Sequence, residues 1–110
     1  MNDHKLHVLA ELADDIHAKR GASPDASYTA KLMSQGTSRC AKKFGEEAFE
    51  LALASVTAKP TEVIAEAADV IYHMMVLLES ADVPLSAVMA ELARRRGMSG
   101  LAEKASRTTS

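Results

Sequence analysis

Lys43-Phe44-Gly45-Glu46-Glu47-Ala48-Phe49-Glu50 is answered further along the chain by Glu66-Ala67-Ala68-Asp69. In each stretch two carboxylates stand three residues apart, Glu47 with Glu50 and Glu66 with Asp69. A helical residue turns about 100° per step, so each pair shares one helix face. Two such faces brought together put four acidic side chains around one small volume. Like charges that close cannot all stay ionised and unpaired in a partly buried site. Hard divalent cations bound by carboxylate oxygens resolve the conflict, with magnesium the usual ion where phosphates are handled. The plainer reading is a Glu-rich helix whose pairs arise by chance on a solvated face. Against it, these helices have almost no other polar face to offer to water. The 15 residues between Glu50 and Glu66 suit two antiparallel helices joined by a short loop, which brings the pairs level.

Working outward, residues 62–80 projected as a helix place Glu62, Glu66, Asp69 and His73 in one narrow sector. Val63, Ile64, Val70, Ile71, Met74, Met75 and Leu78 spread over nearly all the rest. A helix apolar almost all round is a buried helix. The helix 38–57 behaves similarly, with Arg39, Lys43, Glu46, Glu47 and Glu50 in one sector beside Cys40, Phe44, Ala48 and Leu51. A chain of 110 residues has too few helices to enclose both, so a second copy is the expected cover. The expected fold class is all-α: a bundle of four to five helices completed by homodimerisation, its acidic stripes facing a shared cleft.

Composition agrees. The chain is rich in Ala, Leu, Met and Glu, with 3 Pro and 5 Gly, and no stretch alternates cleanly enough to argue for strand. A formal net charge of −2 supplies no basic footprint for nucleic acid. The single cysteine, Cys40, excludes an internal disulfide framework and suits a reducing cytoplasm. The most apolar run, Val70 to Leu78, is interrupted by His73 and is too short to span a bilayer. No secretory signal pattern is visible at the start. The expectation is a soluble cytoplasmic domain over 1–97 with a flexible tail over 98–110.

The remaining elements follow from punctuation. Leu6, Leu9, Ala13 and Ile16 predict a first amphipathic helix within 3–20, broken by Gly21, Ser23, Pro24 and Asp25. Ser27 or Thr29 is placed to cap a short helix ending near Gly36, and Thr37 or Ser38 to cap the next. Thr61 reads as the N-cap of helix 62–80, and Leu85, Val88, Met89 and Leu92 mark a last helix running to Arg94-Arg95-Arg96.

Arg39 and Lys43 precede the acids on the same face. Pairing of Lys43 with Glu47 at i,i+4 would be worth only tenths of a kcal/mol. Beside a carboxylate-held metal, the same cations suit phosphate oxygens. Glu46 is a further ligand, an outer acid or a base that orients water. His73 is either a hydrogen-bonded core residue or a substrate contact. Gly45 inside a helix costs about 1 kcal/mol against Ala, which a close helix approach or room for a ligand would explain. Tyr72, Cys40, Met33, Met74, Met75 and Met89 read as packing.

Ser27-Tyr28-Thr29 with Leu32 and Gly36, then Lys43-x-Gly45-Glu46-Glu47-x-x-Glu50, then Glu66-Ala67-Ala68-Asp69-Val70-Ile71-Tyr72-His73 together resemble the phosphoribosyl-ATP pyrophosphatase family of the MazG-like all-α NTP pyrophosphatase superfamily. The combination spans about Leu6 to Arg96 and is far more specific than either acid pair. Phe44 departs from the pattern, standing where a smaller aliphatic is usual. The resemblance implies magnesium-dependent hydrolysis of 1-(5-phosphoribosyl)-ATP to phosphoribosyl-AMP and pyrophosphate, a step of histidine biosynthesis. It implies Glu47, Glu50, Glu66 and Asp69 as magnesium ligands. Glu46, Glu47 and Glu50 are then the catalytic carboxylates, and Arg39, Lys43 and His73 the phosphate or substrate contacts. Selection of substrate would fall to the stretch near Ser27 to Lys31 and the partner subunit. The same fold and acids would equally serve a housecleaning pyrophosphatase of free or damaged (d)NTPs. A helical dimer that only binds other proteins is a rival of a different class.

Overall fold

A computed structural model describes residues 5–98, 100, 104 and 107. It has five helices: α1 (His7–Ala18), α2 (Tyr28–Ser34), α3 (Thr37–Thr57), α4 (Pro60–Ser80) and α5 (Leu85–Arg95). There is no strand among the described residues, so the all-α expectation holds. The tail expected over 98–110 lies mostly outside the described residues. No helix among them is long and apolar enough to cross a membrane.

The helix ends bear out one expected cap and correct two. Ser27 does cap α2, its Oγ accepting from the Ala30 N–H at 3.1 Å. Thr29 therefore falls inside the helix, where its buried hydroxyl hydrogen-bonds the Tyr72 hydroxyl of α4. Thr37 does not cap α3. Gly36, at φ +94°, occupies that position, and the Thr37 hydroxyl donates instead to the Ser80 carbonyl at 3.1 Å. Thr61 is likewise displaced, because Pro60 opens α4 after Lys59. A proline there loses no hydrogen bond, since the first N–H groups of a helix have no internal acceptor.

α3 and α4 have 21 residues each, about 31 Å of helix, and the two-residue connection between them forces an antiparallel hairpin. α1 and α2 pack on only one end of it. The core there joins Ile16 of α1, Leu32 of α2, Cys40 of α3, and Met75 and Val76 of α4. Cys40 is a free, buried thiol, as expected of packing. A charged clasp closes the same end. Arg20 donates to the Glu79 carboxylate at 2.8 Å and also pairs with Asp82, while His17 Nδ1 lies 3.1 Å from Glu79. Burial raises the Glu79 carboxyl, but Arg20 and His17 outweigh it and hold the group below its ordinary value.

The far end of the hairpin has no cover. Phe49, Leu53 and Val56 form an i, i+4, i+7 stripe on α3 that is 69%, 52% and 79% exposed, and Ile64 and Ile71 are exposed on α4. The apolar girth of α4 is therefore real, yet within one protomer only His73, Met75 and Val76 of it are buried. Met89, expected in the core, is exposed, and α5 buries no residue. The Cα radius of gyration is 16.0 Å, against about 13 Å for a compact chain of this length. Such a shape leaves apolar surface that a single copy does not cover.

Candidate metal and phosphate site

Antiparallel pairing of α3 with α4 brings Glu47 level with the middle of the facing helix. Carboxylate oxygens of Glu47, Glu66 and Asp69 lie within 4.8 Å of one another. Glu47 and Glu66 are half-buried and Asp69 is exposed, so the group opens to solvent on one side. Glu66 Oε2 is fully buried and has no hydrogen-bond partner among the described residues. A buried carboxylate oxygen left unpaired is costly and rare. Three hard oxygen donors gathered this closely, on carboxylates one of which bears an orphaned oxygen, fit a magnesium-like cation. The same donor set, with no sulfur or imidazole in it, is a poor match for zinc.

The other expected site residues sort around this group. Glu50, the fourth expected ligand, does not join the three; it is exposed one turn beyond Glu47, as Glu46 is exposed beside it. Lys43 Nζ stands 3.7 Å from Glu47 Oε1, so the i,i+4 pair is formed and puts a cation beside the acids. Arg39 is exposed one turn earlier on α3. Gly45 does not serve a close helix approach within the protomer, since a Cβ built there meets nothing within 4 Å. Open space beside the acids is what remains of that expectation.

His73 is 6% exposed, with the Tyr72 ring 4.9 Å away and the Tyr28 ring 6.3 Å away, both edge-on. Burial pushes its imidazole below the ordinary value; Glu47 and Asp69 oppose the shift and Lys43 adds to it. The ring is accordingly neutral at pH 7, and it offers hydrogen bonding rather than charge. Tyr28 is the residue that helical patterning missed. Nothing in its spacing marked it, because its relation to His73 crosses from α2 to α4. The available signal was the Ser27-Tyr28-Thr29 motif, which the resemblance included; the Thr29–Tyr72 hydrogen bond joins the same two helices.

Comparison with known proteins gives the family. Residues 9–96 match the family model for phosphoribosyl-ATP pyrophosphohydrolase. A phosphoribosyl-ATP pyrophosphatase of Dinoroseobacter shibae is 51% identical over 102 residues, covering 93% of this chain and all of the relative. One from Cereibacter sphaeroides is also 51% identical, covering 93% and 99%. One from Methylobacterium radiotolerans is 52% identical over 101 residues, covering 92% and 94%.

Proposed function

The chain belongs to the phosphoribosyl-ATP pyrophosphohydrolase family, and from that premise we propose how its own residues carry the family's reaction. The enzyme hydrolyses 1-(5-phosphoribosyl)-ATP to 1-(5-phosphoribosyl)-AMP and pyrophosphate, the second step of histidine biosynthesis. Loss of pyrophosphate from a triphosphate requires the bond between the α and β phosphates to break. Water attacks the α phosphorus, the bridging oxygen leaves with its bonding pair on pyrophosphate, and the water's proton passes to a base.

Glu47, Glu66 and Asp69 would hold magnesium, and the observation that carries this is the gathering of their carboxylates, one of which also bears an orphaned oxygen. A bound magnesium ion supplies charge neutralisation to phosphate oxygens and acidity to a neighbouring water. Glu50 follows Glu47 on the same face but stays out of the three-acid group, which leaves its carboxylate to orient and deprotonate the water; Glu46 is the alternative. Lys43 and Arg39 meet the charge that gathers on the leaving pyrophosphate. The neutral His73 ring supports the wall between the acids and Tyr28.

The bare stripes on α3 and α4 favour a homodimer, in which a second copy covers the end of the hairpin that α1 and α2 leave open. A free buried cysteine and a biosynthetic role suit the cytoplasm.

Pyrophosphate release from phosphoribosyl-ATP and from a dNTP panel, at equal concentration, tests the substrate. We expect phosphoribosyl-ATP to be preferred by about 10²-fold or more in kcat/KM, as for sites that read a group their competitors lack. Equal or faster release from dNTPs would move the protein to the housecleaning reading.

A further inference from the structure

The substrate carries anionic groups at both ends, with adenine between them: the triphosphate, and the 5′-phosphate of the added ribosyl group. The acids, Lys43 and Arg39 serve only the first. A separate hollow of about 450 Å³ lies between the turn Pro24–Tyr28 and Lys31, within the ~300–1,000 Å³ usual for small-molecule pockets. We propose that this hollow receives the phosphorylated ribosyl group and that Lys31 is the cation that reads its phosphate. The assignment rests on the reading of the acidic site given above.

Position is the first support. Tyr28 lines the hollow and its ring is 6.3 Å from that of His73, while His73 follows Asp69 by one helical turn on the same face of α4. The wall of the hollow is therefore linked to Asp69 through the His73 ring and one turn of α4. Tyr28 is 53% exposed, which leaves ring surface for adenine to pack on between the two ends.

Chemistry is the second. Lys31 is exposed and takes part in none of the ion pairs among the described residues, so its ammonium is not already neutralised by a carboxylate. Asp25 shares the hollow. A carboxylate there repels phosphate but accepts hydrogen bonds from the ribose hydroxyls, and a ribosyl phosphate presents both. Ala26 N–H donates to the Ser23 carbonyl at 3.0 Å, Asp25 N–H to Ser23 Oγ at 3.3 Å, and Ser27 Oγ is held by Ala30 N–H. The wall is thus built before ligand arrives, which lowers the ordering cost of binding.

Inhibition by phosphoribosyl-AMP and by AMP, compared in wild type, Lys31→Gln and Lys31→Arg, reads this directly, because the two inhibitors differ only by the ribosyl phosphate. We expect wild type to prefer phosphoribosyl-AMP, Lys31→Gln to lower that preference on the order of tenfold or more, and Lys31→Arg to keep most of it; one charge-assisted hydrogen bond has about that effect. A smaller fall in Lys31→Gln, equal binding of both inhibitors by wild type, or the same loss in both variants overturns the assignment. Turnover of phosphoribosyl-ATP by wild type is measured alongside. If it is present and the inhibitor ratio does not move, the assignment fails and the functional reading stands. If it is absent, the functional reading fails and the assignment goes with it.

Discussion

Glu66→Gln is expected to lower kcat/KM for phosphoribosyl-ATP by about 10³-fold while leaving the metal-free protein as stable as wild type, or more so. The two halves have one cause. Glu66 Oε2 is buried with no partner among the described residues, so without a cation that oxygen is a cost to the fold; an amide is cheaper to bury, and we expect a gain of about 1 kcal/mol in denaturant unfolding. With a cation present, the carboxylate becomes a ligand, and losing it removes several kcal/mol of transition-state stabilisation, at about 1.4 kcal/mol per tenfold. Magnesium should accordingly raise the melting temperature of wild type more than that of the variant. A carboxylate kept only for solubility would give the opposite pattern: activity unchanged and stability unaffected by magnesium. Full activity in Glu66→Gln would remove Glu66 from the site.

Leu53→Asp should have the largest effect on assembly. Leu53 is the middle of the Phe49, Leu53, Val56 stripe, and full cover of each such side chain is worth roughly 1.5–3 kcal/mol. A carboxylate in that stripe would have to be buried unpaired against the second copy. Sedimentation should report wild type at twice the chain mass and Leu53→Asp at the chain mass, with a melting temperature lower by on the order of 10 °C. Leu53 touches none of the core residues at the other end of the hairpin, so the protomer keeps its helices by circular dichroism. A monomeric wild type would refute the dimer outright. An unchanged mass in the variant would place the interface on another face.

The residues differ in how much of this their sequence revealed. The acids were legible because helix periodicity is a local rule: Glu66 and Asp69 at i, i+3 share a face whatever surrounds them, and a short loop fixes which faces meet. Even so, spacing could not say that Glu50 stays outside the group while Glu47 enters it, because that depends on how α3 is rotated against α4. Helix caps were misplaced for a similar reason. Thr37 and Thr61 have the right side chain for an N-cap, but Gly36 with its positive φ and Pro60 took those positions, and the Thr37 hydroxyl found an acceptor 43 residues away. The clasp of His17 and Arg20 on Glu79 spans about sixty residues, and no periodicity announces it. The apolar girth of α4 was legible as a demand for cover. The structure adds where on the hairpin that cover is missing.

The rate of pyrophosphate release from phosphoribosyl-ATP, followed as divalent ions are removed by a chelator and magnesium is then titrated back, is the most direct test of a metal held by Glu47, Glu66 and Asp69. Release should fall by about 10³-fold on chelation and return with magnesium. Undiminished release with every divalent ion chelated would contradict it.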